Sequence, residues 1–447
     1  MLITFTLENW LSFKDSSSFS MVASLEKQHS EHLAYIKKFP LKLIPITAIY
    51  GGNASGKSNF IKALQFIKEF IVDGVSPESS IPVHPYKLSP QYLEKPTSFS
   101  LALLINENIY EYSFSLTSKE VVKEKLTLTN SSREKILFVR ERNKITIDKT
   151  IKQKNKLIDF VAQTTRSNFL FLTNTVWQNL DTFKNVYDWF KLKLEIVYPE
   201  SKFIFQNELL DRNTRFAKTV SSMLKKLGTG IDHLEGQEIP LESINIHPDI
   251  LAKAQGNLQP GKIMVYKDFN NLLYYLYKDK NVIKVKKIIA VHKVNDTYTA
   301  FNLSEESDGN LRAIDLIPAF IILSDEDNDK VFIIDEIDRS LHTKLTQRLI
   351  EFYLESRSAS KRSQLIFTTH DIALMNQDIM RRDEFWMVNR DKDQSSSLES
   401  FSDFKEARND TNIQKSYLEG RMGGLPNIIG NVMFMNGNII DGEQLYL

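Results

Sequence analysis

Gly51, Gly56, Lys57 and Ser58 stand at the spacing Gly-x-x-x-x-Gly-Lys-Ser, a spacing that suits a polyphosphate. The glycines let the backbone wrap closely around phosphate oxygens, so that successive N–H groups point inward. A helix opening at this point adds the positive end of its dipole. The expected nucleotide contacts are therefore Gly51, Asn53, Ala54, Ser55, Gly56, Lys57, Ser58 and Asn59. Lys57 is expected to reach the β- and γ-phosphates of ATP, and Ser58 to ligate Mg²⁺.

A second set of groups lies far downstream. Val331-Phe332-Ile333-Ile334-Asp335-Glu336 is an apolar run ending in two carboxylates. It reads as a buried strand delivering acids to the edge where open α/β sheets bind ligands. Asp335 is the expected metal holder and Glu336 the residue that polarises an attacking water. Ser307-x-Gly309, at a helix start, offers a hydroxyl and N–H groups to an anion. The same residues also read as a simple helix cap. Gln364 to His370 is a further buried strand, and its terminal His370 is placed to sense a γ-phosphate, although a lone histidine is often structural.

The elements that must position these groups follow from periodicity. Residues 2–7 and 44–50 have strand character, and 59–72 carries Phe60, Ile61, Leu64, Ile67 and Phe70 on one helical face. Residues 98–105, 109–116, 124–129 and 136–140 alternate as antiparallel strands. From about 152 to 230 the period is helical, with Phe160, residues 169–172, Trp177, Trp189 and Phe190 as core candidates. The pattern predicts a helix over Tyr266–Tyr277 and strands over 282–291 and 298–303. The last third alternates: helices over 309–323, 340–356 and 371–380, and strands over 331–334, 364–368, 384–389 and 397–401. The fold class is α/β. The expected division is a P-loop and antiparallel-sheet lobe over 1–150, a mainly helical insertion over 151–295, and a lobe over 296–447 carrying the remaining motifs.

Composition narrows the possibilities. Lys and Arg number 57 against 56 Asp and Glu, so bulk charge does not direct the chain onto nucleic acid or membrane. The lysine-rich stretches 118–157 and 278–293 read best as solvated faces. The chain has no cysteine, which removes disulfides, thiolate zinc sites and thiol catalysis. The first residues lack a basic and apolar leader pattern, and no window approaches a membrane span, so a cytoplasmic location is expected.

Between the P-loop and the acidic strand lie nearly 280 residues, and the order of motifs resembles that of ABC-type ATPases. More narrowly, the chain resembles the RloA-like group, kin to the SMC and RecF proteins and to the ATPase half of OLD nucleases. The residues that carry the likeness are 7–15, 51–58, Glu306-Ser307-Asp308-Gly309, Asp335 to His342, Thr368 to Asp371, and Tyr417 to Pro426. The middle, 150–290, matches only loosely. Asn310 departs from the threonine expected after the signature glycine, although an amide can also bond phosphate. His342 stands where many ABC proteins have aspartate.

This resemblance implies an ABC-type ATPase head with a P-loop parallel core sheet, an antiparallel β lobe and an inserted helical lobe. It implies a homo-oligomer, a dimer at least, in which Ser307 and Gly309 of one copy cover ATP held by Lys57 of the other. Lys57, Glu336 and His370 would be its catalytic set, with ATP and Mg²⁺ bound. Members of the group are similar to ATPase components of bacterial anti-phage systems that control a partner effector such as a nuclease.

Two rival functions differ in kind from this one. A RecF- or SMC-like protein would clamp DNA, and the absence of long heptad runs disfavours only the SMC version. A nuclease in its own right would need a metal-binding Asp-x-Asp. Asp391-Lys392-Asp393 has that spelling, but it sits between two strand patterns as a hairpin tip, and fewer than 80 residues follow His370. Gln91 is available as a phosphate-sensing loop glutamine, yet it reads better as an ordinary loop residue.

Overall fold

A computed structural model describes residues 1–130, 133–201, 208–259, 261–269, 272–404 and 412–424, and the backbone of 432–435 and 438–441. The final two residues of the 417–426 segment lie outside the described residues. The chain forms two compact units, one of Met1–Leu194 with Ile366–Leu447, the other of Glu195–Leu365.

The first unit begins with β1 (Leu2–Glu8) and β2 (Ser17–Ser20), a short hairpin of β3 (Ala34–Ile36) and β4 (Leu41–Leu43), and β5 (Ile46–Tyr50). Every residue of β5 is buried, as expected for a strand covered on both faces. After the P-loop, helix Lys57–Val72 turns Phe60, Ile61, Leu64 and Ile67 inward, where Phe60 meets Phe5 at 5.4 Å and Phe19 at 5.3 Å. The meander β6 (Thr97–Ile105), β7 (Asn108–Leu116), β8 (Val121–Asn130), β9 (Arg133–Glu141) and β10 (Lys144–Ile147) follows. With β1 and β2 it makes a seven-stranded sheet of order β10-β9-β8-β7-β6-β1-β2. Inside the same unit, Glu124 and Arg140 are fully buried 3.6 Å apart. The Glu124 carboxylate accepts the N–H groups of Phe171 and Leu172 at 2.8 and 3.0 Å, satisfying donors at the start of helix Phe171–Trp177.

Phe160 and Trp177, expected in the core, are 63% and 50% exposed, whereas Phe169, Leu170, Phe171, Leu172, Trp189 and Phe190 are buried. The helices of this region are short, five to seven residues for most, so each buries only part of its apolar set. Trp177 instead lays its ring edge-on against Phe169 at 5.0 Å.

The second unit contains most of β11 (Leu194–Val197), then β12 (Ile231–Ile239), β13 (Ile263–Lys267), β14 (Leu273–Asp279), β15 (Val282–Val294), β16 (Thr297–Asn302) and β17 (Val331–Ile334). Strands β12 to β16 form a five-stranded antiparallel sheet. The helix expected over Tyr266–Tyr277 is therefore a hairpin, with Tyr266 opposite Tyr274. Its turn is closed by Asp268, whose N–H donates to Leu272 O at 3.0 Å while its carboxylate accepts the Leu272 N–H at 2.8 Å. Among the described residues, 149–226 is thus mainly helical, and 231–302 is mainly β-sheet with one helix, Pro248–Asn257.

β18 (Gln364–Thr368) passes from the second unit into the first, where β19 (Phe385–Arg390) and β20 (Ser396–Ser400) form a sheet with β5. β19 runs parallel to β5 and antiparallel to β20. The mixed α/β class and the P-loop strand inside this sheet agree with expectation. The helix expected over 371–380 does not form; Ile372–Leu374 is a single 3₁₀ turn capped by Asp371. Asn376 stops it by accepting the Asp378 N–H at 2.9 Å, a local bond that competes with helix continuation.

Candidate functional site

Within the first unit, residues 51–56 form a cradle that side chains cannot fill. A β-carbon on Gly51 would lie 2.6 Å from Val388 O, and one on Gly56, at φ 120, would strike the hydroxyls of Ser396 and Ser12. Asn53 and Ala54 are exposed on the rim, with Ala54 left-handed at φ 59. Ser55 is buried, and among the described residues its Oγ has no hydrogen-bond partner. Lys57 is 6% exposed and donates to Gly51 O at 2.7 Å and Gly52 O at 3.2 Å. Helix Lys57–Val72 has no side-chain cap and no acidic residue in its first turn, so its positive end is not neutralised. Ser58 and Asn59 are half-buried in that turn.

Residues of the opening motif brace this loop. Ser12 Oγ accepts from Asn59 Nδ2 at 2.9 Å and from Ser396 Oγ at 2.8 Å, and the Ser396 N–H donates to Ser12 O at 2.7 Å. The Trp10 indole donates to Asn59 O at 2.9 Å. Asn9 donates to Tyr92 O and Lys95 O while accepting the Tyr86 N–H, so it pins the segment that follows the P-loop helix. The C-terminal motif also arrives here: a β-carbon on Gly424 would lie 3.6 Å from Gly51 Cα, and Tyr417 donates to Gly424 O at 2.9 Å. Ser12 lies in the opening motif 7–15, whereas Ser396 carried no sequence signal of its own.

His370 is exposed just beyond β18, after Thr369, whose N–H donates to Ile49 O at 3.2 Å. Gln91 is exposed on the short helix Pro90–Leu93. Asp393 is taken by Lys14 at 2.8 Å and by Ser395 at 2.6 Å, and these bonds hold its carboxyl far below the usual carboxylate range. Asp391-Lys392-Asp393 is the turn between β19 and β20, and one of its two carboxylates is committed to an ion pair.

Within the second unit, Ser307 caps helix Asp308–Ser324, its Oγ accepting the Asn310 N–H at 3.2 Å. A β-carbon on Gly309 would sit 3.0 Å from Ser340 O, so a glycine allows the helix start and the loop after Glu336 to approach. The Asn310 amide is turned inward, donating to Thr229 O at 3.1 Å and Glu306 Oε2 at 2.7 Å. Both bonds lie within the second unit. His342 has a local task, accepting the Lys344 N–H at 3.1 Å as the cap of helix Thr343–Glu355.

Asp335 is buried at the end of β17, its N–H donating to Val197 O at 2.9 Å. Glu336 is half-buried and left-handed at φ 48. A non-glycine residue held there is under strain of the kind that collects at functional positions. Its carboxylate is 3.8 Å from Arg339, which also pairs with Glu200 at 2.6 Å. Arg312, absent from the expected set, is 5% exposed and donates to Tyr198, Pro199, Asp335 and Glu336 main-chain oxygens at 3.3–3.4 Å. Its only sequence signal is a cation just before the run 313–320, which is apolar apart from Asp315.

The lysine-rich stretch 278–293 behaves as a solvated face in part: Lys284 is paired with Glu238 at 3.2 Å and Asp279 at 3.0 Å. Among the described residues no helix is long and apolar enough to cross a membrane.

Fold and site together define a class, P-loop α/β proteins built to hold a nucleotide. A family model described as "AAA domain, putative AbiEii toxin, Type IV TA system" matches residues 46–376, and the chain belongs to this family. The matched range contains the P-loop, Ser307, Gly309, Asp335, Glu336 and His370. Among solved structures, the chain is similar to an SMC head domain from Thermotoga maritima, at 13% identity and TM-score 0.37, over 89% of this chain and 98% of that one. It is also similar to an SMC head bound to the C-terminal winged-helix domain of ScpA, at 14% identity and TM-score 0.40, over 89% and 97%. No curated protein matches the chain.

Proposed function

We propose that this protein hydrolyses ATP at composite sites formed between two copies of itself. The observation that carries the reading is the P-loop cradle: a buried Lys57 and a buried, unpartnered Ser55 hydroxyl between two glycines that no side chain can replace. Residues 1–150 and 296–447 supply the ATPase in this reading, and 151–295 is the insertion. Ser55 and the N–H groups opening helix Lys57–Val72 donate to phosphate, and Lys57 exchanges its loop carbonyls for phosphate oxygens. Ser58 and Asp335 are the oxygen donors suited to Mg²⁺, which when bound neutralises charge between the β- and γ-phosphates. Glu336, held on a left-handed backbone, orients the attacking water. Ser307 and Gly309 cover the nucleotide of the partner copy, and His370 senses its γ-phosphate.

The family description names a toxin–antitoxin system, which favours a defensive setting over DNA maintenance. We therefore assign the chain to the sensor and scaffold part of a bacterial anti-phage system, cytoplasmic, controlling a separate effector such as a nuclease. The test uses Glu336→Gln with ATP. The variant should bind ATP, lose turnover by ~10²–10³-fold, the scale of one positioned catalytic group, and double in mass by light scattering. ATP binding with no change in mass would overturn the composite site. A pull-down of the same variant from its native host should recover an effector; recovery of chromosomal DNA with no effector would favour the RecF-like role.

A further inference from the structure

We propose that His29, Glu31 and His32 form a transition-metal site, and that the ion they take is Zn²⁺. One ligand atom from each residue lies within 4.8 Å of the others. His29 Nδ1 is 3.6 Å from Glu31 Oε1, and His32 Nε2 is 3.8 Å from the same oxygen. Two imidazoles and a carboxylate are the donor set of zinc sites that keep one position open. Imidazole selects zinc over magnesium or calcium, which prefer all-oxygen shells.

The surroundings are those of a held ligand. The second nitrogen of His29, Nε2, is 3.0 Å from Gln377 O. As the protonated nitrogen it donates there, which leaves the Nδ1 lone pair directed toward Glu31. Metal-bound histidines use this outer hydrogen bond to fix tautomer and ring orientation. The backbone of His29 is left-handed at φ 52, a region that histidine enters more readily than most residues do. The segment before it is tied down. Buried Arg381 donates to Gln28 O at 2.8 Å and Glu26 O at 3.1 Å, and pairs with Asp383 at 2.7 Å. Asp383 in turn accepts the Ser24 N–H and hydroxyl at 2.6 and 2.8 Å. The two imidazole planes lie 3° apart with centroids separated by 5.3 Å. Glu31 is exposed, which leaves the fourth position to water.

The site stands apart from the nucleotide reading, and its test uses neither ATP nor Mg²⁺. Metal-stripped full-length protein is titrated with Co²⁺, followed by its visible absorption, and then with Zn²⁺ to displace it. One equivalent is expected, with the intense d–d bands of low coordination. His32→Ala should weaken it at least about tenfold, as should His29→Asn, which keeps a residue tolerant of the left-handed backbone. His247→Ala, at an exposed helix cap elsewhere, should leave the titration unchanged. Wild-type protein that binds Co²⁺ no more tightly than His32→Ala, with equal thermal melting of the two stripped proteins, would overturn the assignment.

Discussion

Arg312 and Glu336 are joined through the main chain, the guanidinium donating to the Glu336 carbonyl at 3.3 Å and to the Asp335 carbonyl at 3.4 Å. The helix that begins with Ser307 and Gly309 is thereby tied to the end of the strand that delivers both acids. Burial pulls the Arg312 guanidinium below its ordinary value, yet arginine stays charged in any aqueous range. It therefore holds the strand end as a fixed cation with several donors.

Truncating Arg312 leaves four main-chain acceptors without that donor. Arg312→Ala is expected to cost about 1–3 kcal/mol, the scale of charged hydrogen bonds, read from urea unfolding. Arg312→Lys keeps the charge and loses the fork. It should slow turnover while leaving ATP affinity as it was. An equal loss of affinity and turnover would remove the positioning role.

Lys57→Ala should weaken ATP binding about 10- to 100-fold, since one charged hydrogen-bonding group is withdrawn from a polyphosphate. Fluorescent-nucleotide titration measures it. Unchanged affinity would mean that the loop does not hold phosphate.

At Gly56 the backbone φ of 120 and the hydroxyls of Ser396 and Ser12 both oppose a β-carbon. Gly56→Ala should cost about 1–3 kcal/mol through strain, with a lowered melting temperature even without nucleotide. A variant as stable as wild type would show that the loop relaxes at no cost.

Ser307→Arg places a long cation on an exposed helix cap. Nucleotide binding by the single copy should persist, and ATP-induced dimerisation in the Glu336→Gln background should disappear. Sedimentation distinguishes the two. Loss of both properties would mean that Ser307 belongs to the binding loop of its own chain.

The P-loop, the acidic strand and the antiparallel meander were legible because their determinants are local. A glycine cradle needs only the conformational range of residues 51–56, and β17 is one unbroken apolar run at 331–334. The meander alternates with a period of two in each strand. The Tyr266–Tyr277 segment misled because two alternating strands joined by a turn place Tyr266, Phe269 and Leu273 at helical spacing. Tyrosine-rich strands need a partner to be recognised, and the partner β15 lies further along the chain. Likewise the bonds from the Asn310 amide to Thr229 and Glu306 are visible only in the folded chain.

By itself the sequence determined which residues could meet a nucleotide, since that chemistry is written in residue type and short spacing. Only the tertiary structure decided what braces them. Ser12 and Ser396 share a hydrogen bond across 384 positions, and Arg312 reaches carbonyls 23 and 24 positions downstream. Such bonds join groups whose neighbours in sequence carry no trace of the partner, because main-chain oxygens and serine hydroxyls are common to every stretch of chain. The same holds for His29 and Gln377, brought together across 348 positions by the clamp of Arg381 and Asp383.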